Sequence, residues 1–310
     1  MERLTVLLFA LIASVLTPCL AETVPHTASG GETTIETRSL EDYKQLLDLF
    51  NGLDYTEQQW LEGMREVPRV YLASIPERWS HTSQEQMQVK LKKKIFFRTL
   101  GPLILRSNEM ILAERDRLLA LADSSSALTP AQQTELAELA RRYRVQWEPE
   151  SPKAAVDELL LKVDTLPVSL ILAQAAEESG WGSSRFAFAG NALFGQWTWG
   201  DDGITPAQQR SGKGDYKIAR FDTPLQSVQA HGLNLNTHPA YESLRQLRQQ
   251  KHQEGQALGG LEAATTLTRY SERGEAYVKT LQSIIRYNKL DGTDSAYLKE
   301  MTALVLIPKP

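Results

Sequence analysis

The stretch from Pro167 to Gly182 constrains this chain most, because it describes a buried helix that ends in acid and glycine. Proline suits a first helical position, where its missing N–H has no partner in any case. The residues that follow are almost all apolar, so we expect the helix to be buried on every side. Glu177 and Glu178 lie at its end, and Gly180 follows where a helix usually stops.

The two carboxylates at this helix end are candidates for proton chemistry. A carboxylate there meets the negative pole of the helix macrodipole and a low-dielectric wall. Both effects disfavour the charged form and raise the carboxyl pKa, which is how a proton donor near neutral pH is made. The alternative is that both acids are solvated charges, which explains most Glu-Glu pairs.

Two motifs in this part of the chain resemble the signature of the glucosaminidase family of cell-wall hydrolases. They are Ala-Glu-Glu-Ser-Gly-Trp-Gly at 176–182 and Asn-Ala-Leu-Phe-Gly at 191–195. Further similar segments are Phe221–Val228, His238–Tyr241, Arg269–Tyr277 and Ser283–Asn288. The resemblance covers about half of the chain, from near residue 150 to near 292, and points to the Bax-type branch of that family.

This resemblance implies a mainly α fold, with a lysozyme-like α+β catalytic core, a small β-lobe and a helical N-terminal region. It also implies cleavage of β-1,4 bonds after N-acetylglucosamine in peptidoglycan, with Glu178 as the general acid. Tyr270 matches a family tyrosine near the cleft, which implies that it helps to position the sugar or water. Tyr277 is a second candidate; without the resemblance, both tyrosines fit a packing role.

Aromatic side chains are concentrated just beyond the helix, as expected for a cleft in which rings stack on the apolar faces of sugars. The candidate substrate-binding residues are Trp181, Asn191, Trp197, Trp199 and Tyr277. Trp197 and Trp199 lie on the same side of an alternating segment and are the better cleft candidates. Trp181 fits equally well as a packing anchor of the turn.

A second carboxylate usually assists glycosidases, either by activating water or by attacking the sugar. In relatives it is often a Glu on the β-lobe, but this chain has no glutamate between Glu178 and Glu242. The available candidates are Asp201, Asp202 and Asp215. A substrate-assisted route through the N-acetyl group of the sugar would also accommodate a missing base.

The beginning of the chain has the pattern of a secretory signal peptide at residues 1–21. Arg3 precedes an apolar run from Leu4 to Leu16, and a small-residue cleavage site ends at Ala21. The run is short for a membrane span. We therefore expect an exported protein of the periplasm or cell envelope with no transmembrane span after processing; an uncleaved anchor is the alternative.

Composition shifts predict the remaining domain boundaries. Residues 22–38 are polar and predict a disordered linker. Helical periodicity predicts a helical N-terminal region at 39–150, with a break or kink at Gly101-Pro102. The catalytic domain is expected at 151–292, and residues 293–310 are expected to form a helical or frayed tail.

Charge and motif content exclude several other functions. A net charge of −4 and a pI near 5.8 argue against a nucleic-acid-binding protein. No zinc-protease, phosphate-loop or nucleophile-elbow motif occurs, and His231 and His238 lack a ligand set, so we expect no metal and no cofactor. Three alternatives stay open: a lytic transglycosylase, a non-catalytic cell-wall-binding protein, and a glycosidase of another N-acetylglucosamine-containing glycan.

Overall fold

The computed structural model describes residues 35–77, 88–122, 128–209, 212 and 214–309. The signal peptide predicted at 1–21 and most of the predicted linker lie outside these residues. The α-helices of the described ranges are α1 (Tyr43–Gly52), α2 (Glu57–Leu61), α3 (Val89–Ala122), α4 (Pro130–Arg142), α5 (Pro152–Lys162), α6 (Val168–Ser179), α7 (Arg185–Gly190), α8 (Pro224–Thr237), α9 (Glu242–Gln253), α10 (Gly260–Thr265) and α11 (Glu275–Tyr287). The strands are β1 (Ile35–Leu40), β2 (Glu66–Val67), β3 (Val70–Leu72), β4 (Trp197–Thr198), β5 (Gly203–Ile204), β6 (Lys217–Ala219), β7 (Tyr297–Leu298) and β8 (Ala303–Pro308). The expected mainly α fold with a small β-lobe is confirmed.

Helix α6 lies at the centre of the molecule, as its apolar sequence predicts. Ten of its twelve residues are buried, and it packs against α3, α10 and α11. The close approach of α10 requires glycine at position 260, because a Cβ there would lie 2.1 Å from Ser169 Oγ and 2.7 Å from the Leu170 nitrogen. The helix begins at Val168, one residue later than predicted, and Pro167 is its N-cap.

The Asp294 carboxylate fixes the starts of α6 and α10 together. Its Oδ1 accepts a hydrogen bond from the Ser169 backbone N–H at 2.8 Å. Its Oδ2 accepts from Ser169 Oγ at 2.8 Å and from the Gly260 backbone N–H at 3.0 Å. One side chain therefore satisfies first-turn donors of two helices, which otherwise have no partner within the helix.

The β-lobe is a three-stranded antiparallel sheet in the order β4-β6-β5. Trp197, Tyr216 and Ile218 form its small core. Helix α7 packs against this lobe, and a Cβ at Gly190 would lie 2.7 Å from Ile204 Cδ1. Helix α7, which follows α6 in the chain, and the β-lobe are therefore in close contact.

A second sheet corrects the predictions for both ends of the described chain. Strand β8 lies between β1 and β3 and pairs in parallel with both. Residues 35–38, predicted to be disordered linker, therefore belong to a strand, and residues 303–308 of the predicted helical or frayed tail form the central strand of the sheet. The pairing joins segments about 270 positions apart, so no local sequence pattern indicates it.

The long helix α3 does not break at Gly101-Pro102, because it continues through both residues. Gly101, Pro102 and Leu103 are all buried, and α3 packs against α6 and α8. Tertiary packing here outweighs the missing N–H of proline. Among the described helices, α3 included, none is both long and apolar enough to cross a membrane.

Candidate active site

The C-terminal end of α6 presents Glu178 where the chain makes a tight left-handed turn. Gly180, Trp181 and Gly182 all have positive φ, at +57°, +61° and +76°. Ser179 Oγ donates to the Ala175 carbonyl at 2.6 Å and accepts from the Gly182 N–H at 2.8 Å, which closes the helix end. Positive φ is uncommon for tryptophan, and such strain is concentrated at functional sites.

A chain of three hydrogen bonds ends on the Glu178 carboxylate. His231 Nε2 donates to Gln174 Oε1 at 3.0 Å, and Gln174 Nε2 donates to the Tyr277 hydroxyl at 3.3 Å. Tyr277 then donates to Glu178 Oε1 at 2.9 Å. Every donor in this chain points towards Glu178, and buried hydrogen bonds in series polarise one another.

Stacked rings hold this donor chain in place. Tyr270 lies parallel to Tyr277, with ring centroids 5.1 Å apart, and Phe194 lies parallel to His231 at 3.9 Å. The Tyr270 and His231 rings meet edge to face at 5.9 Å. Both tyrosines and His231 are buried, so packing fixes the orientation of each polar group.

Glu178 has the electrostatics of a proton donor. Its pKa is raised to about 7, chiefly by burial and also by the neighbouring Glu177 charge, while the Tyr277 hydrogen bond and the Arg273 charge oppose the shift. Burial lowers the pKa of His231 to about 3, so this ring stays neutral. Burial and the Glu178 charge raise the pKa values of Tyr270 and Tyr277, which keeps both hydroxyls protonated.

Glu177 has a different environment from its neighbour. Its Oε1 pairs with Arg273 Nη1 at 2.5 Å, and Arg273 Nη2 donates to Thr280 Oγ1 at 2.7 Å. The side chains of this pair are about one third exposed. Glu177 is therefore an ion-paired surface residue rather than a freely solvated charge.

Two of the predicted substrate-binding residues differ sharply in exposure. Trp197 is only 6% exposed and stacks on Tyr216, with ring centroids 3.8 Å apart, so it packs within the β-lobe. Trp199 is 47% exposed and meets Trp197 edge to face at 6.2 Å. Of this pair, Trp199 is the ring that is open to a sugar.

Trp181 packs against the N-terminal region. Its ring meets Phe96 and Phe97 of α3 edge to face at 5.8 and 5.3 Å, and Lys93 Nζ lies 4.5 Å above it. The ring is partly exposed, so it is both an anchor of the turn and a surface next to it. This contact joins helix α3 of the N-terminal region to the turn that follows α6.

Asn191 connects three segments through its side-chain amide. Its Oδ1 accepts from the Ile75 N–H at 2.9 Å, and its Nδ2 donates to the carbonyls of Phe221 and Asp222 at 2.9 and 3.1 Å. Both Nδ2 protons are used, so none is left for a sugar. Its φ of +51° also suits the left-handed C-cap of α7, and these contacts give Asn191 a structural role.

The three candidate second carboxylates lie on the surface of the β-lobe. Asp201, Asp202 and Asp215 are all exposed. Asp202 lies 3.9 Å from Arg220, and the Asp201 carbonyl accepts from Lys217 Nζ at 2.9 Å. In the part of the chain that the structure describes, no hydrogen bond or ion pair joins these three residues to the Glu178 network.

Gln174 and His231 are the site residues that sequence reasoning missed. The signal for Gln174 was available, because it lies four positions before Glu178 and therefore on the same helix face. A glutamine in an otherwise apolar buried helix needs a partner. His231 had no such signal, since its role depends on α8 packing beside α6. No group of three His, Cys, Asp or Glu side chains in the described ranges could hold a metal ion.

Comparison with known proteins gives the family. Residues 153–290 match the family model described as mannosyl-glycoprotein endo-beta-N-acetylglucosaminidase. The chain is also 34% identical to Protein bax of Escherichia coli over 199 residues, which are 64% of this chain and 70% of that protein. The chain belongs to the glucosaminidase family. The resemblance to the Bax-type branch of this family is thereby confirmed.

A solved structure is also similar to part of the chain. It is the catalytic domain of the autolysin Auto from Listeria monocytogenes, with 21% identity over 58% of this chain and 96% of that one, and a TM-score of 0.33. The family relationship alone supports a glycosidase, and it places Glu178, Tyr270 and Tyr277 inside the matched region.

Proposed function

We propose that this protein is a glycoside hydrolase that cleaves β-1,4 bonds after N-acetylglucosamine in peptidoglycan, with Glu178 as the general acid. The observation that carries the proposal is a single carboxyl group with a pKa raised to about 7, held by an oriented donor chain at the end of a buried helix. A general acid works best when its pKa is near the operating pH.

In the proposed reaction, the two oxygens of Glu178 have separate tasks. Tyr277 fixes Oε1, while Oε2 has no hydrogen-bond partner among the described residues and carries the proton. Oε2 donates this proton to the glycosidic oxygen as the bond to the anomeric carbon breaks and positive charge develops on the sugar ring. Water then adds its hydroxyl to the anomeric carbon, and its remaining proton restores the Glu178 acid.

Other groups are proposed to bind the sugar and to supply the second carboxylate. Trp199 offers an exposed ring for a sugar face, Trp181 lies in the turn that follows Glu178, and Tyr270 stacks on the tyrosine that binds Glu178. Asp201, Asp202 and Asp215 are the protein groups proposed for the second carboxylate. The N-acetyl group of the substrate is the alternative.

The proposed place of action is the periplasm or cell envelope. This proposal depends on the signal-peptide pattern at residues 1–21 and on the location of peptidoglycan. Fractionation of cells that express the full chain tests it. We expect the protein outside the cytoplasm and shortened by about 21 residues, whereas retention of full-length protein in the cytoplasm would contradict the proposal.

Digestion of purified peptidoglycan tests the reaction itself. We expect soluble fragments whose new reducing ends are N-acetylglucosamine, identified by mass spectrometry after borohydride reduction. N-acetylmuramic acid reducing ends would contradict the proposed bond. Binding to insoluble cell wall without any release of fragments would support a non-catalytic binding protein instead.

A lytic transglycosylase is the second candidate, because no second carboxylate is joined to the Glu178 network in the described residues. One carboxyl group that acts first as acid and then as base suffices when a hydroxyl of the substrate, rather than water, attacks the anomeric carbon. The same digest separates the two candidates, since a transglycosylase leaves anhydro-muramyl ends that borohydride does not reduce.

A further inference from the structure

A cavity of about 410 Å³ lies between the N-terminal region and the catalytic core. This volume falls in the range of roughly 300–1,000 Å³ that is typical of small-molecule sites. Its mainly apolar lining comes from α1, α2, α3, α6 and the segment after α11, and includes Leu47, Trp60, Phe97, Leu172 and Leu290.

The cavity is separate from the proposed active site. Leu172 lines it, whereas Gln174 belongs to the donor chain that ends on Glu178. Two residues that are two positions apart on a helix project in nearly opposite directions. Helix α6 therefore has the cavity on one side and the catalytic network on the other, and no residue of that network lines the cavity.

The positive charge in the cavity wall is only partly compensated. Lys94 pairs with Glu57 at this wall, and the Glu57 charge also acts on Arg98, which forms no salt bridge in the described part of the chain. The Nε and Nη2 atoms of Arg98 are buried without a hydrogen-bond acceptor among the described residues. Lys289 adds a further cation to the lining.

Unpaired buried N–H groups are costly, and in native proteins they usually indicate a missing water or ion. The Arg98 guanidinium carbon lies 4.8 and 5.2 Å from the ring centroids of Phe50 and Tyr55, which give it packing but no acceptor. Nε and Nη2 form one edge of the guanidinium, and this edge donates two parallel hydrogen bonds to the two oxygens of a carboxylate.

We propose that this cavity binds a medium-chain fatty acid, with its carboxylate on Arg98 and its single apolar chain against Leu172, Phe97 and Leu290. Binding requires the guanidinium to turn towards the cavity, because its Nε and Nη2 atoms are buried in the structure. Charge complementarity at one end and apolar lining at the other select an anion with an apolar tail over a sugar or a nucleotide.

Isothermal titration calorimetry of the full chain with sodium decanoate tests this site. We expect one molecule to bind per chain, and we expect Arg98→Met to weaken decanoate at least tenfold while leaving the affinity for 1-decanol unchanged. Leu91→Trp, which fills the cavity, should weaken both ligands. Arg117→Met, on the exposed face of the same helix, is the matched control and should bind as the unsubstituted chain does.

Three outcomes would overturn the proposal. They are the absence of saturable decanoate binding, equal decanoate affinity of Arg98→Met and Arg117→Met, and unchanged binding in Leu91→Trp. Circular dichroism melting of each variant verifies that it is folded. Peptidoglycan cleavage by Arg98→Met is expected to be unchanged, so a failure of this proposal is distinguishable from a failure of the proposed function.

Discussion

Glu177 and Glu178 are consecutive residues with different surroundings. Glu178 accepts from a buried tyrosine and has its pKa raised to about 7 chiefly by burial. Glu177 forms an ion pair with Arg273 at the surface. The two acids are nonetheless coupled, because the Glu177 charge raises the pKa of Glu178 and the Arg273 charge lowers it.

This coupling predicts opposite pH shifts for two substitutions. A general acid must be protonated, so activity should fall as the pH rises through about 7. Glu177→Gln removes a charge that raises the pKa of Glu178 and should move this alkaline limb to lower pH. Arg273→Met removes a charge that lowers the pKa and should move the limb to higher pH. The measurement is kcat/KM for peptidoglycan fragments between about pH 5 and 9.

Equal pH profiles for the two variants and the unsubstituted chain would show that the titration of Glu178 does not set the alkaline limb. Glu272→Gln is the matched control, because Glu272 is an exposed acid beside Arg273 that makes none of these contacts in the described structure. Its alkaline limb should not move.

At the scale of single elements, the position of α6 depends on the Asp294 carboxylate as well as on its apolar residues. Asp294 joins the first turns of α6 and α10, and Gly260 lets the two helices touch. Glu178 lies on the same helix, nine positions after Ser169, so the orientation of its carboxyl group depends on how this first turn is held.

Asp294→Ala should lower the free energy of unfolding by about 2–4 kcal/mol, because it leaves buried first-turn donors of two helices without acceptors. Urea unfolding followed by circular dichroism measures the change. Asp291→Ala, an exposed acid on the same turn, should change stability by no more than about 0.5 kcal/mol. Equal effects of the two substitutions would show that the Asp294 hydrogen bonds do not hold the helix.

The sequence predicted the helix and its acid, because both depend on local pattern. An apolar run, an acid pair and glycines at the end are read from adjacent residues. The donor chain was not predictable in this way. Gln174 finds His231 and Tyr277 at separations of 57 and 103 positions, so the chain exists only after α8 and α11 pack beside α6.

At the scale of the whole molecule, the ends of the described chain are joined in one sheet. Strand β8 follows the catalytic core and pairs with β1 and β3, which precede it. Trp181 adds a second link, since it packs on Phe96 and Phe97 of the N-terminal region. These contacts predict that the helical N-terminal region and the catalytic core unfold together.

Leu306→Ala tests this cooperativity. Leu306 is 1% exposed in the central strand, and its truncation should cost about 2–4 kcal/mol. We expect a single thermal transition, shifted to a lower temperature, when ellipticity and tryptophan fluorescence are followed in parallel. Ile307→Ala, at a neighbouring position that is 48% exposed, should have a much smaller effect. Two separate transitions in Leu306→Ala would contradict a cooperative molecule.

The most direct test of the central claim is the rate of peptidoglycan cleavage by Glu178→Gln, compared with Glu272→Gln. Glutamine keeps the shape of the side chain and can still accept from Tyr277, but it has no acidic proton to donate. We expect Glu178→Gln to reduce kcat about a hundredfold to ten-thousandfold with an unchanged melting temperature, and Glu272→Gln to keep full activity. Undiminished cleavage by folded Glu178→Gln would contradict the assignment of the general acid.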